Sequence, residues 1–414
     1  MKIGVISLVS DVHNPSAIAG NSNTILSLLK QSFEIEEINI SEIHRVDIPI
    51  VFIVTGGTEH KFKKIFPGLL HSGKPITLLS TGSHNSLPAC LEILYWIDKQ
   101  GIKNTLLLHG SIDSIKEKIE KRCHHIEIAE KLNKMNIGVI GKPSDWLISS
   151  DVNYDNVHKK WGINFTFIEL HEVLENMNIF LPTDIKETLL KFPPAGYIDG
   201  PGEKDILEAV KIYLSLKKIV TDYRLSSLTL RCFDLLKPLN NTGCLALSRL
   251  NDEGIPAGCE GDTPALFTMV INRLITGNPT FMANPSQIHE DGIIFAHCTV
   301  PTSMVQSFGY ETHFESGIGV GVAGTFAPGP VTISKINGDD LDHYYVAAGN
   351  ITTINASRNF CRTQVKIKIL QGYDYFFKFP LGNHHIISSG NHLTMFHELM
   401  NFFSVRAKSA RKSQ

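Results

Sequence analysis

The chain lacks net charge. Its 39 Lys and Arg stand against 41 Asp and Glu, a formal −2, so nothing in the electrostatics argues for nucleic acid or an anionic membrane as partner. It also lacks any run near the roughly 18 apolar residues of a membrane span. The seven cysteines (Cys90, Cys123, Cys232, Cys244, Cys259, Cys298 and Cys361) are odd in number and include no CxxC pair. That excludes a disulfide framework or zinc ribbon and is expected of reduced thiols in a cytoplasmic protein. The apolar run Ile3–Val9 has neither a basic leader nor a cleavage site, so a strand is expected there and not a signal peptide. At 414 residues, with 43% hydrophobic and 19% charged, the chain reads as folded and soluble, and too long for one ordinary core. Histidine is the one abundance, at 18.

Hydrophobic patterning divides the chain into three zones: an α/β domain over 1–133, a second over 134–279 and a β-rich domain over 280–414. In the first, strands at Lys2–Val9, Ile50–Val54, Pro75–Leu79 and Asn104–Leu108 alternate with helices at Ser22–Gln31, Leu87–Lys99 and Ile112–Met135. That rhythm predicts a Rossmann-like parallel sheet covered on both faces. Its loops VTGGTEH (54–60) and STGSHNS (80–86) match neither GxGxxG nor GxxxxGK[ST]. Turn chemistry or contact with substrate or a neighbouring subunit remains open for them. The second zone restarts with strand Asn136–Ile140, a short helix expected around Trp146 behind Ser144 and Asp145, strand Asn164–Glu169, helix Leu170–Met177 and a long helix over Lys204–Tyr223. From Thr280 the chain turns to short strands with dense glycine, which predicts an antiparallel barrel or sandwich, then a helix at Leu393–Phe403 and a basic tail, Arg406–Gln414.

One stretch organises the polar chemistry. In Leu250–Asn284 a glycine-broken loop delivers Cys259, Glu260 and Asp262, and Thr263-Pro264 opens a helix that Gly277 and Pro279 stop. Glu260 and Asp262 either cap that helix or point into a site, since the helix N-terminus favours carboxylates in both roles. Three clusters follow. Phe295-Ala296-His297-Cys298 ends an apolar strand. Thr312–Ser316 sets His313 and Glu315 on one side of an expected strand, as metal ligands, a proton relay or a plain polar pair. Gly382-Asn383-His384-His385 precedes strand Ile386–Ser388, where adjacent histidines face opposite ways and at most one serves a given site. Carboxylate and imidazole groups of this kind suit a divalent ion such as manganese, which polarises a carbonyl while a carboxylate removes the proton beside it.

At these residues the chain resembles the L-fucose isomerase/L-arabinose isomerase superfamily, more on the fucose-isomerase side. GCEGD at 258–262 with the ALFTM helix behind it, AHC at 296–298 and GNHHIISSG at 382–390 carry the resemblance. It implies two Rossmann-like α/β domains and a β-rich, barrel-like C-terminal domain. It implies aldose–ketose isomerisation of a sugar through a cis-enediol, usually with Mn2+, in homotrimers or homohexamers with sites at subunit boundaries. Glu260 matches the glutamate that ligates metal and exchanges protons, and His384 the C-terminal histidine ligand, with His385 as the alternative. His297 matches a histidine ligand of the arabinose-isomerase side. Asn284 stands where an acidic ligand and acid/base group is expected; its carbonyl can coordinate but is no base. Glu315 or His297 would then supply the second proton transfer. Arg362, in CRTQ, either pairs with a carboxylate or holds an anionic sugar substituent, and His313 and His385 are the further expected substrate contacts. The expectation is a cytoplasmic, metal-dependent ketol isomerase; the alternative, favoured by Asn284, is a non-catalytic sugar-binding or regulatory relative.

Overall fold

The segment IPIVFI, Ile48–Ile53, is apolar and buried at every position, the mark of a strand covered on both faces. Ile50 and Phe52 enter a core with Val5 and Leu79, while Val51 and Ile53 enter the opposite core with Leu78, Phe62 and Phe66. The computed structural model describes residues 1–12, 15–352 and 357–407. It divides into two units, Met1–Ile128 and Ala129–Gln414. In the first, β1 (Ile3–Leu8), β2 (Ile35–Glu37), β3 (Ile48–Ile53), β4 (Thr77–Ser80) and β5 (Leu106–Leu108) form a parallel sheet in the order β2-β1-β3-β4-β5. Helices Pro15–Lys30, Glu59–His71, Ser86–Lys99 and Ile112–Asn133 connect or follow the strands. Helix Glu59–His71 has no counterpart in the sequence reading, because Pro67 lies inside it and breaks the expected helical signal.

The second unit begins with β6 (Asn136–Ile140), β7 (Asn164–Ile168), the short β8 (Ile198–Asp199), β9 (Ser227–Leu230) and β10 (Ala257–Cys259). Four of these make a parallel sheet in the order β10-β9-β6-β7. The helix behind it, Thr263–Thr276, has the ends its sequence predicts. Asp262 caps it by accepting from the Ala265 N–H, and Gly277 ends it at φ +72°. Then come β11 (Phe281–His289), β12 (Gly292–His297), β13 (Ser307–Glu311), β14 (Gly321–Thr325), β15 (Gly329–Asn337), β16 (His343–Thr352), β17 (Thr363–Ile369), β18 (His385–Ser389) and β19 (Arg406–Ala407). Six of them close an antiparallel barrel, β15-β18-β11-β12-β17-β16, with the β15–β16 pairing as the seam. Strand β13 pairs with β14 on one side and β8 on the other in a separate small sheet. The fold is thus mixed α/β, with parallel sheets and a closed barrel in the C-terminal region. Leu228, Leu230 and Cys259 of the parallel sheet share one continuous core with Phe281, Ile333 and Ile387 of the barrel.

Three local expectations are corrected. Ser144 and Asp145 start no helix: residues 145–146 form a turn, closed by the Leu147 N–H on the Ser144 carbonyl. The strand expected at Ile318–Val322 begins only at Gly321. His313 and Glu315 do not alternate along a strand. β13 ends at Glu311, and residues 314–316 form a turn held by the Gly317 N–H on the His313 carbonyl at 2.9 Å. The tail beyond Ala407 lies outside the described residues. No helix among the described residues is long and apolar enough to cross a membrane.

Candidate metal centre

The centre is built at the carboxyl end of β10. Glu260 and Gly261 both take left-handed backbone, φ +62° and +71°. Gly261 has no alternative, because a Cβ there would lie 2.4 Å from the Lys142 carbonyl oxygen. Glu260 is a side-chain-bearing residue in the same region, a conformation that costs about 1–2 kcal/mol and gathers at functional sites. Ser144 N–H donates to its carbonyl at 2.9 Å, so the loop after β6 pins the turn from above. The turn throws the Glu260 carboxylate into a buried space. There its Oε1 lies 3.4 Å from His384 Nε2 and 3.9 Å from His297 Nε2. Ligand atoms of these three residues all lie within 4.8 Å of one another.

Neighbours orient each member. The Trp146 indole N–H donates to Glu260 Oε2 at 2.7 Å. Asp262 Oδ2 meets His384 Nδ1 at 2.8 Å while its Oδ1 accepts from the Ala265 N–H at 2.8 Å. Asp262 therefore caps the helix and aims the imidazole with one carboxylate. Lys335, only 1% exposed, faces the same Oδ2 at 3.5 Å. Thr299 Oγ1 meets His297 Nδ1 at 2.9 Å. With both Nδ1 atoms engaged, both Nε2 atoms point at Glu260. A carboxylate or hydroxyl behind a ligating imidazole is the usual arrangement behind a metal.

The charges reveal what the site needs. Burial opposes ionisation of Glu260, yet His297 and His384 hold its pKa far below the usual carboxylate range. Burial likewise opposes Asp262, which Lys335 and His384 bring down to about 2. His297 is pushed down by burial and stays neutral, with a lone pair to offer. Burial also disfavours the His384 imidazolium, but Asp262 and Glu260 raise its pKa to about 9. Two buried carboxylates thus face a single lysine, and a proton on His384 supplies the missing positive charge. A divalent cation would do so better. His384 Nε2 is buried without a hydrogen-bond partner, since its approach to Glu260 is close but misaligned. Asn284 Oδ1 is also buried and unpartnered. Asn284 lies on β11 opposite Ala296, the residue before His297, and follows Ala283, which pairs with His385. An unpartnered imidazole nitrogen that frees a lone pair on losing its proton, beside an ionised carboxylate, fits a cation.

The other expected site residues are dispersed. His385 points away from the centre. It is fully buried, its Nε2 meets the Tyr375 hydroxyl at 3.0 Å, and Phe376 packs on its ring. Burial lowers its pKa to about 3, so it serves as a neutral core residue. His313 is buried against Phe233, with ring centres 5.4 Å apart, and its Nδ1 meets Ser316 Oγ at 3.0 Å. Burial and the nearby His297 bring its pKa to about 4. Glu315 stays open to solvent, yet partial burial and the Glu260 charge raise its pKa. Arg362 donates to the Thr312 carbonyl at 2.6 Å and lies 3.5 Å from Glu311. It lines a cleft of about 190 Å³ with Tyr197, Glu311 and Gln364, which none of Glu260, His297 and His384 lines. The sequence reading missed Trp146, Lys335 and Thr299. No local pattern marks Trp146 or Lys335, because each acts through a residue far away in the chain, and Thr299 gains its role only from the orientation of His297 two residues before it.

No family model matches the chain. Two curated relatives are similar to parts of it. Sulfoquinovose isomerase of Alkalicoccus urumqiensis is 22% identical over 205 residues, 46% of this chain and 44% of that protein. Sulfoquinovose isomerase of Clostridium sp. (strain MSTE9) is 24% identical over 178 residues, 42% of this chain and 39% of that protein. The matched part thus spans less than half the length of either relative, and the likeness is to proteins named as sugar isomerases.

Proposed function

We propose that this protein is a metal-dependent aldose–ketose isomerase of a sugar, working through a cis-enediol. The observation that carries the reading is the convergence of two Nε2 atoms on one buried, ionised carboxylate, with His384 Nε2 lacking a hydrogen-bond partner. Glu260, His297 and His384 would hold the ion, with the Asn284 carbonyl as a further oxygen, and manganese suits this mixed oxygen and imidazole set. When bound, the ion supplies Lewis acidity toward the sugar carbonyl and its neighbouring hydroxyl. In this reading Glu260 takes the proton from the carbon beside the carbonyl and returns it to the adjacent carbon. Trp146 and the Asp262–His384 pair hold the reacting groups in place. Asn284 cannot exchange a proton at neutral pH and His297 is taken up by the ion and Thr299, so the hydroxyl proton would pass to Glu315. Glu315 fits that role because its pKa is already raised.

The name of the two relatives points to a sulfonated sugar as the substrate. Purified protein with Mn2+ is expected to interconvert an aldose and its ketose in a panel of neutral and sulfonated sugars, with deuterium from solvent entering the carbon beside the carbonyl. No turnover on any sugar, together with thermal stabilisation by one of them, would instead favour the sugar-binding reading to which Asn284 points.

A further inference from the structure

Two pairs of cysteines interact, Cys232 with Cys259 and Cys298 with Cys361, and the first pair is in direct contact. Cys232 Sγ and Cys259 Sγ lie 2.6 Å apart, both thiols buried. They sit on adjacent strand ends: Cys259 is the last residue of β10, paired with Leu230 of β9, and Cys232 follows two residues later. Neither sulfur is used by the chemistry above. What each is attached to is suggestive of a purpose. Cys259 is bonded to Glu260. Cys232 is bonded to Phe233, whose ring packs against Trp146 with centres 4.8 Å apart, and Trp146 donates to Glu260 Oε2. Both ends of the thiol pair therefore lead to the same carboxylate, one through the chain and one through an aromatic contact.

We propose that Cys232 and Cys259 form a dithiol modification site, oxidised by a peroxide to a disulfide that displaces Glu260 and weakens cation binding. One thiol reduces hydrogen peroxide, becoming a sulfenic acid and releasing water. The second sulfur attacks it, the S–S bond forms, and a second water leaves. In total two thiols lose two protons and two electrons, and one peroxide becomes two waters. The sulfurs need to close to the ~2.05 Å of a disulfide, a sub-ångström movement between the end of β10 and the helical turn that follows β9. Burial restricts the oxidant to a small molecule. A dithiol reductant reverses the step by exchange. The bond itself is independent of the isomerase reading; its consequence rests on the metal centre proposed above.

The test exposes the full chain to hydrogen peroxide, quenches it by denaturation in an alkylating agent, and maps cross-linked peptides by mass spectrometry without reduction. A Cys232–Cys259 link is expected, absent in C232S and C232A and removed by dithiothreitol. Mn2+ titrated into the oxidised protein is expected to bind at least tenfold more weakly than into the reduced protein, with full recovery on reduction and no oxidant effect in the two variants. Sulfinic or sulfonic products without the link, or a Cys298–Cys361 link in its place, overturn the site. A link that leaves Mn2+ affinity unchanged overturns its control of the centre. The link is read without metal, so a chain that forms it but binds no Mn2+ before oxidation removes the metal reading and leaves the dithiol site standing.

Discussion

At the carboxyl edge of the first parallel sheet, polar side chains bond to the backbone that carries them. Thr58 Oγ1 donates to the Thr55 carbonyl at 2.9 Å, and Ser10 N–H donates to Thr55 Oγ1 at 2.9 Å. Ser86 Oγ donates to the Ile53 carbonyl and accepts from Thr81 N–H. At the carboxyl edge of the second sheet, Glu260 is left-handed, ionised and buried, and His384 Nε2 beside it has no hydrogen-bond partner. Both edges have the glycine-rich, small-polar look of ligand loops. The difference lies in what is left over once turns and caps are satisfied. A turn consumes its donors and acceptors locally, whereas a site retains buried lone pairs and charge that no protein group balances.

Mutations at the two edges should separate these cases. The largest effect is expected for Glu260→Gln, which keeps the shape and removes the charge. Mn2+ binding, followed by calorimetry, should fall beyond detection, and any sugar turnover with it, while the far-ultraviolet circular dichroism stays native. Retained tight binding would remove Glu260 from the ligand set. Next comes Asp262→Ala, which loses both the helix cap and the group aiming His384. Its Mn2+ affinity should drop about 10–100-fold, and chemical denaturation should show a loss of about 1–2 kcal/mol from the cap. Unchanged affinity would mean that His384 needs no orienting partner.

The pH dependence should be graded. His384 has its folded pKa raised from 6.5 to about 9, so the ion-free protein gains stability that is fully present below 6.5 and lost as pH rises through about 9. Because a cation must displace that proton, Mn2+ affinity should rise up to tenfold per pH unit toward pH 9 and then level off. A flat profile between pH 7 and 9 would place the proton elsewhere. The smallest effect is expected at the first edge. Ser86→Ala should cost about 1–2 kcal/mol in denaturant and leave Mn2+ affinity as it was, since the hydroxyl bonds Ile53, Thr81 and Ser80 of its own unit.

The sequence pattern made much of this legible before any coordinate. The helix Thr263–Thr276 was marked at both ends, by Asp262 with Thr263-Pro264 and by Gly277, because caps and stops are local chemistry. Apolar runs such as Ile50–Val54 and Asn136–Ile140 read as strands for the same reason, and the structure has them at Ile48–Ile53 and Asn136–Ile140. Local chemistry also misled. Ser144-Asp145 resembles a helix cap, but the loop is instead drawn onto Glu260 through the Ser144 N–H and the Trp146 indole. The His313–Glu315 alternation assumed a strand that turns away after Glu311.

Residue order alone thus determined the alternation of parallel α/β units with a β-rich end, the helix behind the CEGD turn, and the short list that held Glu260, His297 and His384. It left His384 and His385 as equals. Only the tertiary structure separated them, by sending one imidazole to Asp262 and Glu260 and the other into an aromatic core with Tyr375 and Phe376. Neighbouring side chains at the mouth of a strand face opposite ways, and which way is the site depends on partners more than a hundred residues distant. The same holds for Lys335 and Trp146, whose roles exist only where separate strands and loops converge on one buried charge.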